Sequence, residues 1–170
     1  GDGDGDGDGD TFTLTQGADT LSGTAGDDVF NGSATEDNFG DLQQTFGAND
    51  SIDGGDGTDE LQAVVRDQPV DFTEDDGEIS SVETLNIRSN VADSALVFND
   101  QVTGVETIIS NSSTKDLSVS GIQSEVALEM GGRHGDAGTN GPNDGNDATF
   151  SVQFADSVEP IDSVDVTLNG

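Results

Sequence analysis

Residues 80–87 read SSVETLNI, and a close variant, TGVETIIS, returns 23 residues later at 103–110. A looser copy, SGIQSEVALEM, begins at Ser120. Strands that recur at a spacing of roughly 20 residues are typical of a parallel β-solenoid, in which each coil packs its apolar face on the next. The repeat therefore predicts an all-β fold, with a parallel β-solenoid of the β-roll or β-helix kind as the expected architecture. A β-sandwich whose strands merely resemble one another is the alternative.

The remainder of the chain also favours strands over helices. Runs with period-two alternation, enriched in Val, Ile, Thr and Phe, are typical of half-buried strands. They occur at 11–15, 28–32, 61–65, 82–89, 95–99, 105–111, 116–120, 125–130, 149–154 and 163–168. The best helix candidates, 40–46 and 91–97, are short. We expect three parts: a Gly-Asp tail at 1–10, a segment at 11–62 that is rich in Gly-Asp turns, and a strand-repeat region at 63–170.

The charge balance indicates a need for cations. The 170 residues include 36 acidic and four basic side chains, for a net charge of -32, and 27 of the acids are aspartate. Aspartate favours turns and is a hard oxygen ligand for calcium, while self-repulsion on this scale opposes compaction unless cations offset it. We expect no nucleic-acid partner, because phosphate binding needs lysine and arginine and the chain has only four such residues. Adaptation to high salt, with carboxylates that only hold water, is the alternative explanation of the acidity.

Several classes of protein are disfavoured by what the sequence lacks. No apolar run approaches the ~20 residues of a membrane span, and we expect no signal peptide in these residues. The absence of cysteine excludes disulfides and thiolate metal sites. Residues 1–10, GDGDGDGDGD, cannot join a core, so they need bound cations or a neighbouring molecule to become ordered. An EF-hand loop starting at Asp2 is rejected, because its twelfth position is Thr13 where glutamate is required.

Two turns carry the pattern of a calcium-binding nonapeptide, G-G-x-G-x-D-x-U-x, where U is apolar. Residues 54–62, GGDGTDELQ, match every specified position, and residues 23–30, GTAGDDVF, match except that one glycine position holds another residue. Glycines allow the backbone to turn its carbonyl oxygens inward, and the aspartate adds a charged oxygen. A third Gly-, Asn- and Asp-rich loop lies at 131–147. The sequence therefore predicts several Ca²⁺ ions held by Asp27, Asp28, Asp50, Asp53, Gly54, Asp56, Gly57, Asp59, Asp144 and Asp147.

Both turns resemble the RTX-type calcium-binding repeats of secreted bacterial proteins. The order of TFTLTQGADTLSGTAGDD (11–28), NDSIDGGDGTDEL (49–61) and the V-E-T strands is also similar to domains of bacterial surface-layer (S-layer) proteins. The resemblance covers residues 11–112 well and the rest only in texture. It implies calcium-dependent folding, export without a cleaved signal and a structural role at the cell surface. The RTX family runs the nonapeptide in tandem, whereas this chain has two separated copies.

Enzymatic readings find little support. His134 is the only histidine, and no Gly-x-Ser-x-Gly motif occurs. A zinc site would need several nitrogen or sulfur ligands, and the chain has one histidine and no cysteine. A β-helix polysaccharide lyase or hydrolase using Arg88, Arg133 and nearby acids is conceivable. However, the chain has no tryptophan or tyrosine to stack on sugars. We therefore expect a non-enzymatic, extracellular protein that self-assembles, with itself as partner, into a surface layer, filament or biofilm matrix. An adhesin domain that binds a cell-surface glycan is the alternative.

Overall fold

A computed structural model describes residues 8–66, 68–132 and 148–155, and the backbone of 166–169. These residues form sixteen strands and no helix: β1 (Thr11–Thr13), β2 (Thr20–Ser22), β3 (Val29–Gly32), β4 (Thr35–Glu36), β5 (Leu42–Gln43), β6 (Ser51–Asp53), β7 (Glu60–Val65), β8 (Val70–Asp71), β9 (Glu78–Ser80), β10 (Thr84–Ser89), β11 (Ser94–Val97), β12 (Thr107–Asn111), β13 (Leu117–Ile122), β14 (Ala127–Gly131), β15 (Phe150–Phe154) and β16 (Val166–Asn169). The expectation of an all-β chain is confirmed for this part of the molecule.

The strands form four sheets, and pairing is parallel almost throughout. The largest sheet has the order β1-β3-β7-β10-β12-β14-β16, and the others are β15-β13-β11-β8, β2-β6-β9 and β4-β5. Among the strands of the described residues, only the β4–β5 pair is antiparallel. The chain visits three of these sheets in a fixed order. It passes from the three-stranded sheet (β6) to the seven-stranded sheet (β7) and then to the four-stranded sheet (β8), and it repeats this order with β9, β10 and β11.

The sequence echo corresponds to neighbouring strands. Thr84 on β10 is in register with Thr107 on β12, 23 residues later, and with Glu60 on β7, 24 residues earlier. The two V-E-T copies therefore lie side by side in the seven-stranded sheet. In the same sheet, one row of inward-facing apolar side chains crosses five strands and is buried at every step: Phe30, Leu61, Leu85, Ile108 and Leu128. Each such side chain contributes about 1.5–3 kcal/mol on burial.

A second buried row is aromatic. The rings of Phe46 and Phe72 lie 6.3 Å apart, and those of Phe72 and Phe98 are also 6.3 Å apart in an edge-on arrangement. All three side chains are buried. Ring pairs at this separation add to the free energy gained from burial alone, so this aromatic ladder ties successive passes of the chain together.

Neither of the two short helix candidates forms a helix, in agreement with the expected all-β chain. Residues 40–46 contain the short strand β5, and residues 91–97 contain β11. In β11, Ser94 and Leu96 are buried, whereas Ala95 and Val97 are only partly buried. Burial therefore alternates every two residues, as in a strand packed on a core, and tertiary packing decides the structure of this segment. Within the described residues, no helix is long and apolar enough to cross a membrane.

Candidate metal centre

The two nonapeptide turns stack directly on one another. Residues 23–28 connect β2 to β3, and residues 54–59 connect β6 to β7. Gly23 N donates to Asp53 O at 2.7 Å, and Thr58 N donates to the Asp27 carboxylate at 2.8 Å. Hydrogen bonds therefore join the first turn to the second turn and to the end of β6.

Glycine is required in the second turn for two different reasons. Gly55 and Gly57 have φ of +98° and +128°, which side chains strongly disfavour. At Gly54, a Cβ would overlap the carbonyl oxygen of Ser81 and crowd the Asp59 carboxylate. The predicted glycine positions thus bring the backbone close to the carboxyl group that the motif places in this turn.

Acidic residues occupy one level after another along the seven-stranded sheet. Asp10, Asp28, Asp59, Glu83 and Glu106 each precede a strand by one residue, and the strand residues that follow them are in register. We call this set the acid column. Parallel strands are spaced by ~4.8 Å, so the column places like charges close together.

Backbone amides link the first four members of the acid column. Asp10 N donates to the Asp28 carboxylate at 2.6 Å, Asp28 N to Asp59 at 2.7 Å, and Asp59 N to Glu83 at 2.7 Å. Each carboxylate thus accepts a hydrogen bond from the level before it. Such charge-assisted bonds are short and strong, and they hold the carboxylates against the ends of the strands.

Asp28 is buried but fully partnered. Its side chain is 1% exposed and accepts Thr24 N at 2.5 Å and Thr24 Oγ1 at 3.1 Å, in addition to Asp10 N. The first turn therefore closes on its own aspartate through a threonine. Hydrogen bonds to the charged form offset the cost of burying this carboxylate.

Asp59 is equally buried but only half satisfied. Its side chain is 1% exposed; Oδ1 accepts Asp28 N, whereas Oδ2 has no hydrogen-bond partner. Gly55 stands where Thr24 stands in the first turn, so the donor hydroxyl is missing. A buried carboxylate oxygen without a hydrogen-bond partner lowers the stability of the fold. This oxygen lies in the turn that matches the nonapeptide at every specified position.

The electrostatic surroundings of Asp59 disfavour its charged form. Burial raises the pKa of Asp59, the Asp28 amide lowers it in part, and the negative charges of Asp28, Glu83 and Asp27 raise it further. No lysine or arginine is among the groups that shift the pKa of Asp59 in the described part of the chain. The site therefore has an excess of negative charge that a proton or a metal cation can neutralise.

Asp50 lies apart from this centre. It sits at the other end of β6 from the turn, three residues and ~10 Å from Asp53. Both of its oxygens are used, accepting Asp19 N at 3.0 Å and Gly47 N at 2.8 Å, and burial raises its pKa. Asp50 is therefore a buried side chain that accepts hydrogen bonds from the backbone of two turns, and it does not lie at the nonapeptide turns.

The other predicted ligands differ in position. Asp27, Asp53 and Asp56 are exposed on the outer side of the turns, and Asp27 accepts Thr58 N. Asp144 and Asp147 lie outside the described residues. Sequence reasoning missed Glu83 and Asp10 as members of the column. The signal that could have found Glu83 is its place in the V-E-T echo, one residue before an in-register strand.

Within the described parts of the chain, no group of three or more Asp, Glu, His or Cys side chains is already arranged to hold a metal ion. The donors nonetheless fit a hard cation, since Asp27, Asp28, Asp59 and Glu83 offer only oxygen, which Ca²⁺ prefers and structural zinc sites do not. The unpartnered Asp59 Oδ2 is the candidate metal-ligating oxygen that no hydrogen bond occupies.

Comparisons of the sequence with protein-family models and curated proteins, and of the fold with solved structures, found no match.

Proposed function

We propose that this chain is a calcium-dependent structural protein, without catalytic activity, that winds as a parallel β-solenoid and self-assembles outside the cell. Calcium neutralises the acid column, the strands then stack stably, and copies of the chain associate into a layer or filament. The resemblance of the two turns to RTX-type calcium-binding repeats supports this function.

The observation that carries the calcium proposal is the buried, unpartnered Oδ2 of Asp59 beside the carboxylates of Asp28, Glu83 and Asp27. Extracellular calcium modules bind with dissociation constants of ~0.1–1 mM. Inside a cell, calcium is too scarce to fill such a site, and outside it is abundant. Calcium would thereby couple folding to export.

The strand order supports a solenoid over a sandwich. Sandwiches are built from antiparallel sheets, whereas eleven of the twelve strand pairings in the described part of the chain are parallel. The repeated passage from the three-stranded to the seven-stranded to the four-stranded sheet is what a chain winding in coils of about 24 residues would give.

The sheet edges support self-assembly. Among the described residues, β1 and β2 are terminal strands of their sheets, and a terminal strand presents backbone groups that can pair with another strand. A second copy that continues both sheets in parallel would bury these edges. The high negative charge opposes such contact, so association should require calcium.

A calcium titration of the EDTA-stripped protein tests both parts of the proposal. Circular dichroism follows folding, while light scattering and negative-stain imaging follow assembly. We expect β signal and long particles to appear together as calcium rises. A fully folded chain that ignores calcium would overturn the metal proposal, and calcium-dependent folding without particles would overturn self-assembly while favouring a single adhesin domain.

A further inference from the structure

A polar groove crosses the outer face of the seven-stranded sheet, away from the acid column. It has a volume of about 330 Å³ and spans β3, β7, β10 and β12 with the residues just after them. Arg88 lies in this groove, one of three described cationic side chains in a chain of 36 acids. The lining side chains are otherwise amides, hydroxyls and small apolar groups.

Strand alternation explains why Arg88 has neutral neighbours. Arg88 is in register with Val64, and the residue that follows the Ile87–Ser110 pair on β12 is Asn111. On the adjacent outward row, Asn86 lies beside Gln62. The nearest acid on β7 is Glu60, two residues before Gln62. Its carboxylate accepts a hydrogen bond from Asn86 Nδ2 at 2.7 Å.

The polar groups of the groove are largely unused. The Arg88 guanidinium and the Gln62 amide make no hydrogen bond within the described residues. Asn86 uses only its Nδ2, and Asn111 only its Oδ1, which accepts Ser112 Oγ at 3.1 Å. The groove therefore presents one cationic fork, two further amide donors and two amide acceptors to solvent.

This combination defines the chemistry of a ligand. An arginine fork pairs with a carboxylate through two parallel hydrogen bonds. Amide side chains that can both donate and accept match the hydroxyl groups of a sugar. Charges beyond about 8 Å are screened at physiological salt, so the neutral surroundings of Arg88 matter more to a bound anion than the net charge of the chain.

We propose that this groove binds a carboxylated oligosaccharide. Arg88 takes the sugar carboxylate, while Gln62, Asn86 and Asn111 bind the hydroxyl groups of the same and the neighbouring sugar. Recognition rests on hydrogen bonds and charge, because the chain has no tryptophan or tyrosine for stacking. The site would anchor an assembled layer to an acidic polysaccharide. Sugar binding in this groove requires neither calcium in the acid column nor assembly of the chain.

Titration of trigalacturonate into the full chain tests the site, at fixed calcium and about 0.15 M salt. Isothermal titration calorimetry measures the affinity for free and for assembled chains alike. We expect binding of trigalacturonate and none of the neutral trisaccharide maltotriose. Equal affinity for maltotriose or for a sulfated trisaccharide would overturn carboxylate recognition.

Variants assign the effect to the groove. Arg88→Gln should weaken binding roughly 10- to 100-fold, as expected for loss of hydrogen bonds to a charged group. Arg88→Lys, which keeps the charge without the fork, should fall between. Lys115→Gln removes the same charge from an exposed turn outside the groove and should change affinity less than about twofold.

Arg88 is exposed, so its variants should fold, and circular dichroism checks this directly. Unchanged affinity in Arg88→Gln would overturn the proposal, including the case in which calcium bridges the sugar to the acidic turns. Loss of sugar binding with calcium-dependent folding intact would support the groove. Absence of binding in the folded parent chain would refute it without affecting the calcium proposal.

Discussion

Replacing Asp59 by asparagine should change stability in opposite directions with and without calcium. The substitution keeps the shape of the side chain, and Oδ1 can still accept the Asp28 amide. It removes a buried charge that lies beside three other carboxylates. Without calcium, Asp59→Asn should therefore be at least as stable as the parent, whereas with calcium it should lack the stabilisation that the ion provides.

The magnitude follows from mass action. A site with a dissociation constant of ~0.1–1 mM adds ~1.4–2.7 kcal/mol to the free energy of unfolding at 10 mM calcium. For a chain of this size, that corresponds to a rise in melting temperature of roughly 3–11 °C. The parent should show this rise between EDTA and 10 mM calcium, and Asp59→Asn should lose the increment of one site.

Urea and thermal unfolding, followed by circular dichroism in EDTA and in 10 mM calcium, measure both effects. Asp41→Asn is the matched control, because it removes one exposed charge from a turn outside the acid column. It should keep the full calcium increment. An undiminished increment in Asp59→Asn would show that Asp59 is not a ligand. A loss of more than about 1 kcal/mol in EDTA would show that its charge stabilises the fold, contrary to the reasoning above.

Three further predictions concern the core, the backbone and pH. Phe72→Ala should cost about 3–5 kcal/mol in urea unfolding, since it empties the middle of the aromatic ladder; Phe72→Leu should cost much less, and equal losses would contradict a packing role. Ser81 has φ of +51°, so Ser81→Gly should stabilise the chain by roughly 0.5–1 kcal/mol, whereas Ser80→Gly in the adjacent strand should destabilise it. Because the folded state raises the pKa of Asp59 and Asp50, it binds protons more tightly than the unfolded chain. In EDTA, the melting temperature should therefore rise as pH falls from 7 towards about 4. The same stabilisation is lost as pH rises through the folded pKa values. A melting temperature that falls as pH is lowered over this range would refute this prediction.

Much of the fold could be read from the sequence because its strongest signals are local. The alternation in 61–65 and 105–111 predicted β7 and β12, and the 23-residue echo predicted strands that proved to be neighbours. The three-residue strands β2, β6 and β9 were missed, since such short segments lie among glycine and aspartate and carry too few residues for a period. Their pairing depends on stacking, which a local pattern does not contain.

The candidate site was predicted only in part for the same reason. The motif placed Asp28 and Asp59 in turns, but it could not distinguish a carboxylate satisfied by Thr24 from one left open beside Gly55. Asp50 is close to the turn in sequence but lies at the far end of a strand. Glu83, in contrast, lies 24 residues from Asp59 and meets it through the sheet register.

The acid column has a consequence for how the chain responds to its medium. In water, two unit charges interact with an energy of RT at ~7 Å, and successive levels of the column are only ~4.8 Å apart. A row of charges this dense behaves as a short polyelectrolyte and gathers a counterion atmosphere, as the phosphates of DNA do. Sodium or potassium ions must then be displaced when a divalent ion enters. Calcium affinity should therefore weaken with rising monovalent salt, and the backbone spacing of the sheet sets how steeply.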